Sequence, residues 1–260
     1  MDDQQSVQKP IPEHVLSFTV RGPWAHFRRV EGNIVKQTYR VIPRTTAAGL
    51  VAAVIGLQRD EYYDLFAPEE SAMALSPVTA LRTMNVPQNT LSTADGHIKE
   101  VPPRSRTLKI GLPDPSAPRQ QHNYELLVDP AYRIDLWLSD QEMYNTLRDR
   151  LENGESYYVP SLGLSEHLCS IDYHGEAEVE HVPDGTNVEI DSAIPERVDQ
   201  VVVQPEQRYG IEQSPGYMTS NGRSRTTSGF LSMAYNPDGG KLIMKDGSYC
   251  QINDRQVLFS

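Results

Sequence analysis

A chain of 260 residues with a formal net charge of -11 is long enough for one large domain, or two small ones, around a real core. Arginine outnumbers lysine by 18 to 6; strong acidity with few lysines resembles proteins adapted to a high-salt cytoplasm, though many mesophilic proteins are also acidic, and near 1 M salt the Debye length is only about 3 Å. Such screening excludes nucleic-acid binding by long-range attraction and leaves close arginine contacts and stacking as the available means.

The charge is unevenly placed. Residues 21–46 carry six basic side chains (Arg21, Arg28, Arg29, Lys36, Arg40 and Arg44) against Glu31, whereas residues 166–206 carry eleven acids against Arg197 alone. One region suits an anion and the other suits solvent or a basic partner, so overall acidity does not exclude a nucleic-acid ligand. Cys169 and Cys250 lack metal-site or redox spacing and read as reduced, buried thiols. His167, His174 and His181 recur every seven residues in an acidic, strand-rich region, which reads as coincidence. No catalytic group, metal or cofactor is implied. No signal peptide or apolar run of membrane-spanning length is read, and residues 1–12 read as a loose polar arm.

In chain order, Leu16, Phe18 and Val20 alternate with Ser17, Thr19 and Arg21, which predicts a strand with one buried face. After Gly22-Pro23, Trp24 and Phe27 with Arg28 and Arg29 read either as a stacking and phosphate-clamping edge or as ordinary core. Residues 47–55 hold no charged or strongly polar side chain and predict a helix over 45–56 that is buried on nearly all sides. Thr45 or Thr46 is the expected cap and Gly56 the expected stop. Arg40 and Arg44 precede its positive end, where amides and hydroxyls suit a phosphate. The plainer reading is a capped core helix with solvated arginines.

Residues 62–66 read as a short amphipathic segment and residues 72–84 as a second strand closing on Arg82. From 85 to 125, six prolines and few large apolar residues predict a long arm carrying Arg104, Arg106, Lys109 and His122; the alternative is a disordered solvent loop. A third strand follows at 132–138. Ser139 or Asp140 then caps a helix with Met143, Leu147 and Leu151 on one face, ended by Gly154. A fourth strand is expected at 168–173, giving the order β-α-β-(arm)-β-α-β of an α+β, ferredoxin-like plan over residues 1–174. Residues 175–260 read as an antiparallel β-rich C-terminal region. Its short strands are expected at 177–182, 188–190, 198–203 and 230–234, with a mobile loop at 214–228 and a hairpin over 241–252 turning at Asp246-Gly247.

Three blocks carry a family resemblance: Gly22-Pro-Trp-Ala-His-Phe-Arg, Tyr39-Arg-Val-Ile-Pro-Arg-Thr-Thr-Ala-Ala-Gly-Leu with Gly56-Leu57, and Tyr157-Tyr-Val-Pro-Ser-Leu-Gly-Leu-Ser. The segment Arg119-Gln-Gln-His through Ile134 adds to them. On these the chain resembles the fifth family of CRISPR-associated proteins, the subunit of type I Cascade complexes that caps the 5′ end of the guide RNA, in its archaeal type I-B flavour. The resemblance covers roughly residues 15–173.

It implies a cytoplasmic, non-catalytic subunit of antiviral defence, with the crRNA 5′ handle, the Cascade backbone subunit and the Cascade large subunit as partners and the 85–125 arm as a thumb. Carried over by motif, Arg28, Arg29, Arg44, Thr45 and Thr46 contact the handle, with Arg82, Arg104, Arg106 and His122 as arm contacts and Trp24 or Phe27 as stacking platforms. One branch of the family is a metal-independent endoribonuclease, for which His122, Lys109 and Tyr39 would be needed, but Lys109 and His122 are not adjacent as in that branch. A protein-only assembly module is the third reading.

Overall fold

The computed structural model describes residues 10–29, 35–91, 98–101, 110–113, 116, 119–221 and 224–260. The first strand is β1 (His14–Arg21), followed by the two-residue strands β2 (Trp24–Ala25) and β3 (Val35–Lys36). Helix α1 (Arg44–Ile55) comes next, then a 3-10 turn (Asp64–Phe66) and strand β4 (Ser71–Pro77). The arm consists of β5 (Arg82–Leu91), β6 (Ile98–Val101), β7 (Ile110–Pro113) and β8 (Arg119–Val128). Strand β9 (Ala131–Leu138), helix α2 (Gln141–Asn153) and strand β10 (Ser170–Glu178) complete the first part.

A four-stranded sheet in the order β10-β1-β9-β4 lies at the centre, with every neighbouring pair antiparallel. Its register sets Leu16 opposite Leu136 and Phe18 opposite Ile134, with Met73 and Leu75 across from the same two β9 residues. These side chains and both helices share one core, which includes Val51, Val54, Leu147 and Leu151. α1 follows Pro43 with no side-chain cap, so neither Thr45 nor Thr46 caps it; the first helical residue is Arg44, and the Pro43 carbonyl accepts from the N–H groups of Thr46 and Ala47. The helix stops where Gly56 takes a left-handed φ of 103° and donates to the Ala52 carbonyl, as its sequence predicts. In α2, the Asp140 carboxylate accepts from the N–H groups of Glu142 and Met143, each at 3.0 Å, and Gly154 closes the helix. The cap is Asp140, and Tyr144 joins Leu147 and Leu151 in the buried face.

The second face of the sheet is the first correction. β1 was expected to expose Ser17 and Thr19, yet both are buried. The Ser17 hydroxyl donates to the fully buried Asp135 carboxylate, and the Thr19 hydroxyl lies 2.7 Å from His174 Nε2. The cover comes from the end of the chain. After β10 run β11 (Glu180–Ile190), β12 (Ile194–Pro195), a 3-10 turn (Val198–Gln200), β13 (Val201–Val202), β14 (Gly210–Asn221), β15 (Ser224–Tyr235), β16 (Leu242–Ile252) and β17 (Arg255–Val257). Val15 and Ala74 pack with Cys250, Ile252 and Val257, and Arg255 donates to Asp135 at 3.0 Å and to the Ser76 hydroxyl at 3.0 Å.

Three C-terminal expectations also change. Residues 242–252 form one continuous strand in place of a hairpin at Asp246-Gly247; β11 passes alongside, with Gly185 opposite Gly247, whose φ of 128° is accommodated within the strand. Residues 214–228 are not a loop but fall mainly within β14 and β15, which pair from Gly210–Tyr235 to Asn221–Ser224. Residues 198–203 form a 3-10 turn followed by a short strand. The β14–β15 hairpin adds Leu231, Met233 and Tyr235 to the same core as α1. Arm strands β5 and β8 are antiparallel from Arg82–Val128 to Leu91–Arg119, and β6 pairs with β7. Among the described residues, no helix is long and apolar enough to cross a membrane.

Arg255→Met tests the cover. It leaves the Asp135 carboxylate, fully buried, with the Ser17 hydroxyl and an Arg133 nitrogen 3.9 Å away. Urea denaturation is expected to show a loss of about 3–5 kcal/mol, the cost of removing one partner from a buried pair.

Candidate nucleic-acid interface

The three sequence blocks meet in space. The Phe27 N–H donates to the Thr38 hydroxyl at 2.8 Å, and the Tyr39 N–H donates to the Phe27 carbonyl at 2.8 Å, which joins the first block to the second. The His26 N–H donates to the Leu162 carbonyl at 3.1 Å, joining the first to the third. The N–H groups of Tyr157 and Tyr158 donate to the Val54 and Ala53 carbonyls at the end of α1, joining the third to the second. Gly163 makes the junction possible: a Cβ there would lie 2.0 Å from the His26 carbonyl oxygen, and its φ is 93°.

Most of the expected ligand groups in this cluster hold the protein together. Arg44 is 1% exposed. Its guanidinium donates to the carbonyls of Phe66 at 2.7 Å, Ser71 at 3.1 Å and Ser260 at 3.3 Å, and to the Ser71 hydroxyl at 2.7 Å. It also lies 4.4 Å from the centre of the Tyr217 ring. Arg44 is therefore no direct phosphate clamp, because its donors converge on three separate segments. Burial draws its pKa down to about 10, which leaves it charged at neutral pH. No carboxylate pairs with it among the described residues.

Arg40 is corrected likewise. Its guanidinium donates to Glu125 at 2.7 Å and to the Thr38 carbonyl at 3.2 Å. Its N–H and that of Val41 are held by the Glu212 carboxylate at 2.7–3.1 Å. Burial raises the Glu212 pKa, opposed by those two amides and by Arg29 and Arg40. Burial also pushes Glu125 up, but the Arg40 guanidinium and the Thr38 N–H hold it below the usual carboxylate value. Two acids thus occupy the approach to the helix, and neither was visible in local sequence: Glu125 comes from the arm and Glu212 from β14. Phe27 is 1% exposed and stacks edge-on against Tyr132 at 5.8 Å, so it is core and offers no platform to a base.

Other groups remain accessible. Arg28 is exposed and has no acidic partner among the described residues. Arg29 is half-buried and lies 5.1 Å from the Tyr39 ring centre. Trp24 is half-buried beside β8. Arg82 is exposed at the arm's base, 3.6 Å from Asp129, and His122 lies further along, edge-on to Tyr124 at 6.5 Å. Arg104, Arg106 and Lys109 lie outside the described residues. His174 is engaged with Thr19, and the described residues contain no cluster of His, Cys, Asp and Glu that could hold a metal.

Beside the start of α1 lies a cavity of about 400 Å³, within the usual range for small ligands. Thr45, Thr46 and Gly49 form one wall, Tyr62 and Phe66 another, Ser161 and Gly163 a third, and Tyr217 and Arg225 of the C-terminal hairpin the fourth. Tyr157, Tyr158 and Val159 stand exposed on the neighbouring loop at 60%, 46% and 73%. Sequence reading missed Tyr62, Tyr217 and Arg225 as site residues. A loop assignment for 214–228 removed the only cue, Arg225 among small polar residues.

A family model described as "CRISPR-associated protein (Cas_Cas5)" matches residues 15–229. Among solved structures, a CRISPR protein from Archaeoglobus fulgidus is similar, with a TM-score of 0.54, 13% identity and 94% of this chain covering 98% of that one. A chain of a CRISPR RNA-guided surveillance complex is similar with a TM-score of 0.52, 13% identity and 90% of this chain covering 91% of that one. At that identity the likeness is one of fold. No curated protein matches the chain in sequence.

Two outcomes follow from the buried groups. Arg44→Met orphans three carbonyls and is expected to lower unfolding free energy by about 2–4 kcal/mol; a variant as stable as the parent in urea would return Arg44 to a ligand-binding role. His26 and His167 are both buried, with His26 Nε2 and His167 Nδ1 lacking partners among the described residues, and burial lowers both pKa values below 6.5. The unfolded chain therefore takes up protons that the folded chain refuses, so stability is full above pH 6.5 and falls as pH drops below it. Melting temperature followed down to about pH 5 should fall in the parent and fall less in His167→Gln.

Proposed function

Because the chain belongs to the CRISPR-associated Cas5 family, whose model spans residues 15–229, we propose that it is the non-catalytic subunit of a type I Cascade complex that holds the 5′ handle of the crRNA. The observation that carries this reading is the junction of the three motif blocks, which packs His26 and Phe27 against Leu162 and the cavity-lining Gly163, in the same short segment as exposed Arg28 and half-buried Arg29 and Trp24. A single strand offers unstacked bases to aromatic rings and phosphates to arginines, and both kinds of group are present here.

The sheet order β10-β1-β9-β4, with both helices on one face, supports a ferredoxin-like assignment. Small sheets of that plan often bind RNA across the open face. In this chain β16 and β17 pack on that face and Arg255 reaches Asp135, so the strand is routed along the Trp24–Arg29 edge. The paired arm strands β5 and β8, carrying exposed Arg82 at their base, suit a contact with a neighbouring Cascade backbone subunit. The exposed Tyr157-Tyr158-Val159 patch suits a contact with the large subunit. Buried Tyr39 and partly buried His122 sit on different segments, which supports a binding role over cleavage.

Fluorescence anisotropy with a single-stranded RNA tests the assignment. Arg28→Ala with Arg29→Ala is expected to weaken binding about tenfold and to flatten the salt dependence by roughly 1–1.5 in log-log slope, since each lost phosphate contact removes about 0.7. Glu180→Gln, on exposed β11, should change little. Equal losses from both would remove the site from the Trp24–Arg29 edge. Specific cleavage of a precursor RNA in chelator, abolished by His122→Ala, would replace the binding role with a nuclease.

A further inference from the structure

The cavity beside α1 has a chemistry that RNA binding along the edge leaves unused. Its polar groups are the hydroxyls of Thr45, Thr46, Tyr62, Ser161 and Tyr217 and the guanidinium of Arg225. The Tyr217 hydroxyl is buried and has no hydrogen-bond partner among the described residues. Such a group costs free energy until a ligand or a water satisfies it. Arg44, which also lines the cavity, is a buried cation held by main-chain oxygens and one hydroxyl, with no Asp or Glu side chain paired to it among the described residues. Its field favours an anion in the adjoining space, because a buried charge is poorly screened. Aromatic walls, the unsatisfied Tyr217 hydroxyl and two nearby guanidiniums together suit a flat polar ring that carries negative charge.

Resting on the RNA-binding reading above, we propose that this cavity receives one extruded nucleotide, with its base among Tyr62, Tyr217 and Ser161 and its phosphate at Arg225. In the free protein Arg225 lies 3.4 Å from Asp60, which also accepts from the Tyr63 hydroxyl at 2.6 Å. The pair is partly exposed, at 43% and 38%, so it is weak and exchangeable. A phosphate therefore competes with Asp60 for the guanidinium, and the β14–β15 hairpin is latched until it arrives. The family match ends at residue 229, so most of this hairpin falls inside the matched region, yet no sequence block quoted for the resemblance includes Tyr217 or Arg225.

The test walks one abasic site along a mixed-sequence, single-stranded RNA decamer and measures its affinity for the full chain, with free nucleoside monophosphates titrated separately. One position is expected to lose tenfold or more when its base is removed, the fold-change that loss of stacking gives. Tyr217→Phe keeps the ring over Arg44 and its stacking, and should reduce that positional loss only by the hydroxyl's share, whereas Tyr217→Ala should erase most of it. Asp60→Asn suits the residue's left-handed φ of 73° and should strengthen RNA binding two- to fivefold by freeing Arg225, whereas Arg225→Gln should cancel that gain. If monophosphates bind saturably and Arg225→Gln abolishes it while every abasic RNA binds alike, the site stands and its source is a free nucleotide. If RNA binds, every abasic position is equal within twofold and monophosphates do not bind, the cavity assignment is overturned and the edge assignment survives. If neither RNA nor monophosphates bind the parent chain, both are overturned.

Discussion

The buried guanidinium of Arg44 is the interaction on which the site's geometry depends. It gathers the main-chain oxygens of Phe66, Ser71 and Ser260 and lies against the face of Tyr217, so three stretches far apart in sequence are set around the first turn of α1. A lysine would offer a point charge with three donors, where the planar fork reaches several acceptors in fixed directions. None of those acceptors is an Asp or Glu side chain. The same residue closes the core and lines the cavity beside it.

Acidic residues do complementary work around the preceding loop. Glu212 accepts from two successive amides at Arg40 and Val41, and Glu125 takes the Arg40 guanidinium and the Thr38 N–H. The Tyr132 hydroxyl donates to the Arg40 carbonyl from the central sheet. The segment ahead of α1 is consequently fixed from the arm, from β9 and from the C-terminal hairpin. On the proposed reading, an RNA strand would meet a fixed loop whose conformation it does not have to organise, which would reduce the ordering cost of binding.

Local signals were legible in the sequence where one segment decides its own conformation. The Asp140 cap and Gly154 stop of α2, the Gly56 stop of α1 and the positions of strands β1 and β9 are of this kind. Readings failed where a distant partner decides. Ser17 looked solvent-facing because its acceptor, Asp135, is 118 residues away. Asp246-Gly247 looked like a hairpin turn because the β11 strand that carries the ladder past it cannot be seen from those two residues. Arg44 looked like a ligand because a cation ahead of an apolar helix is normally exposed, and its acceptors lie 22, 27 and 216 residues away. The three motif blocks pointed to one place, but the fourth wall of the cavity comes from residues that composition had assigned to a loop.

A net charge of -11 and a polyanionic ligand are compatible only if the relevant cations act over short distances. Exposed Arg28 works at contact range, and its influence fades as salt shortens the Debye length from about 8 Å at 0.15 M to about 3 Å at 1 M. Arg44, at 1% exposure, is less affected, because a buried charge is screened much less than an exposed one. Stacking on aromatic walls is also insensitive to salt. On the proposed reading, rising ionic strength would shift the balance of binding from the exposed arginine edge toward the half-open cavity. On the reading proposed above, an interior cation beside aromatic rings would let a chain with few lysines and an acidic C-terminal surface retain a nucleotide after long-range attraction has been screened away.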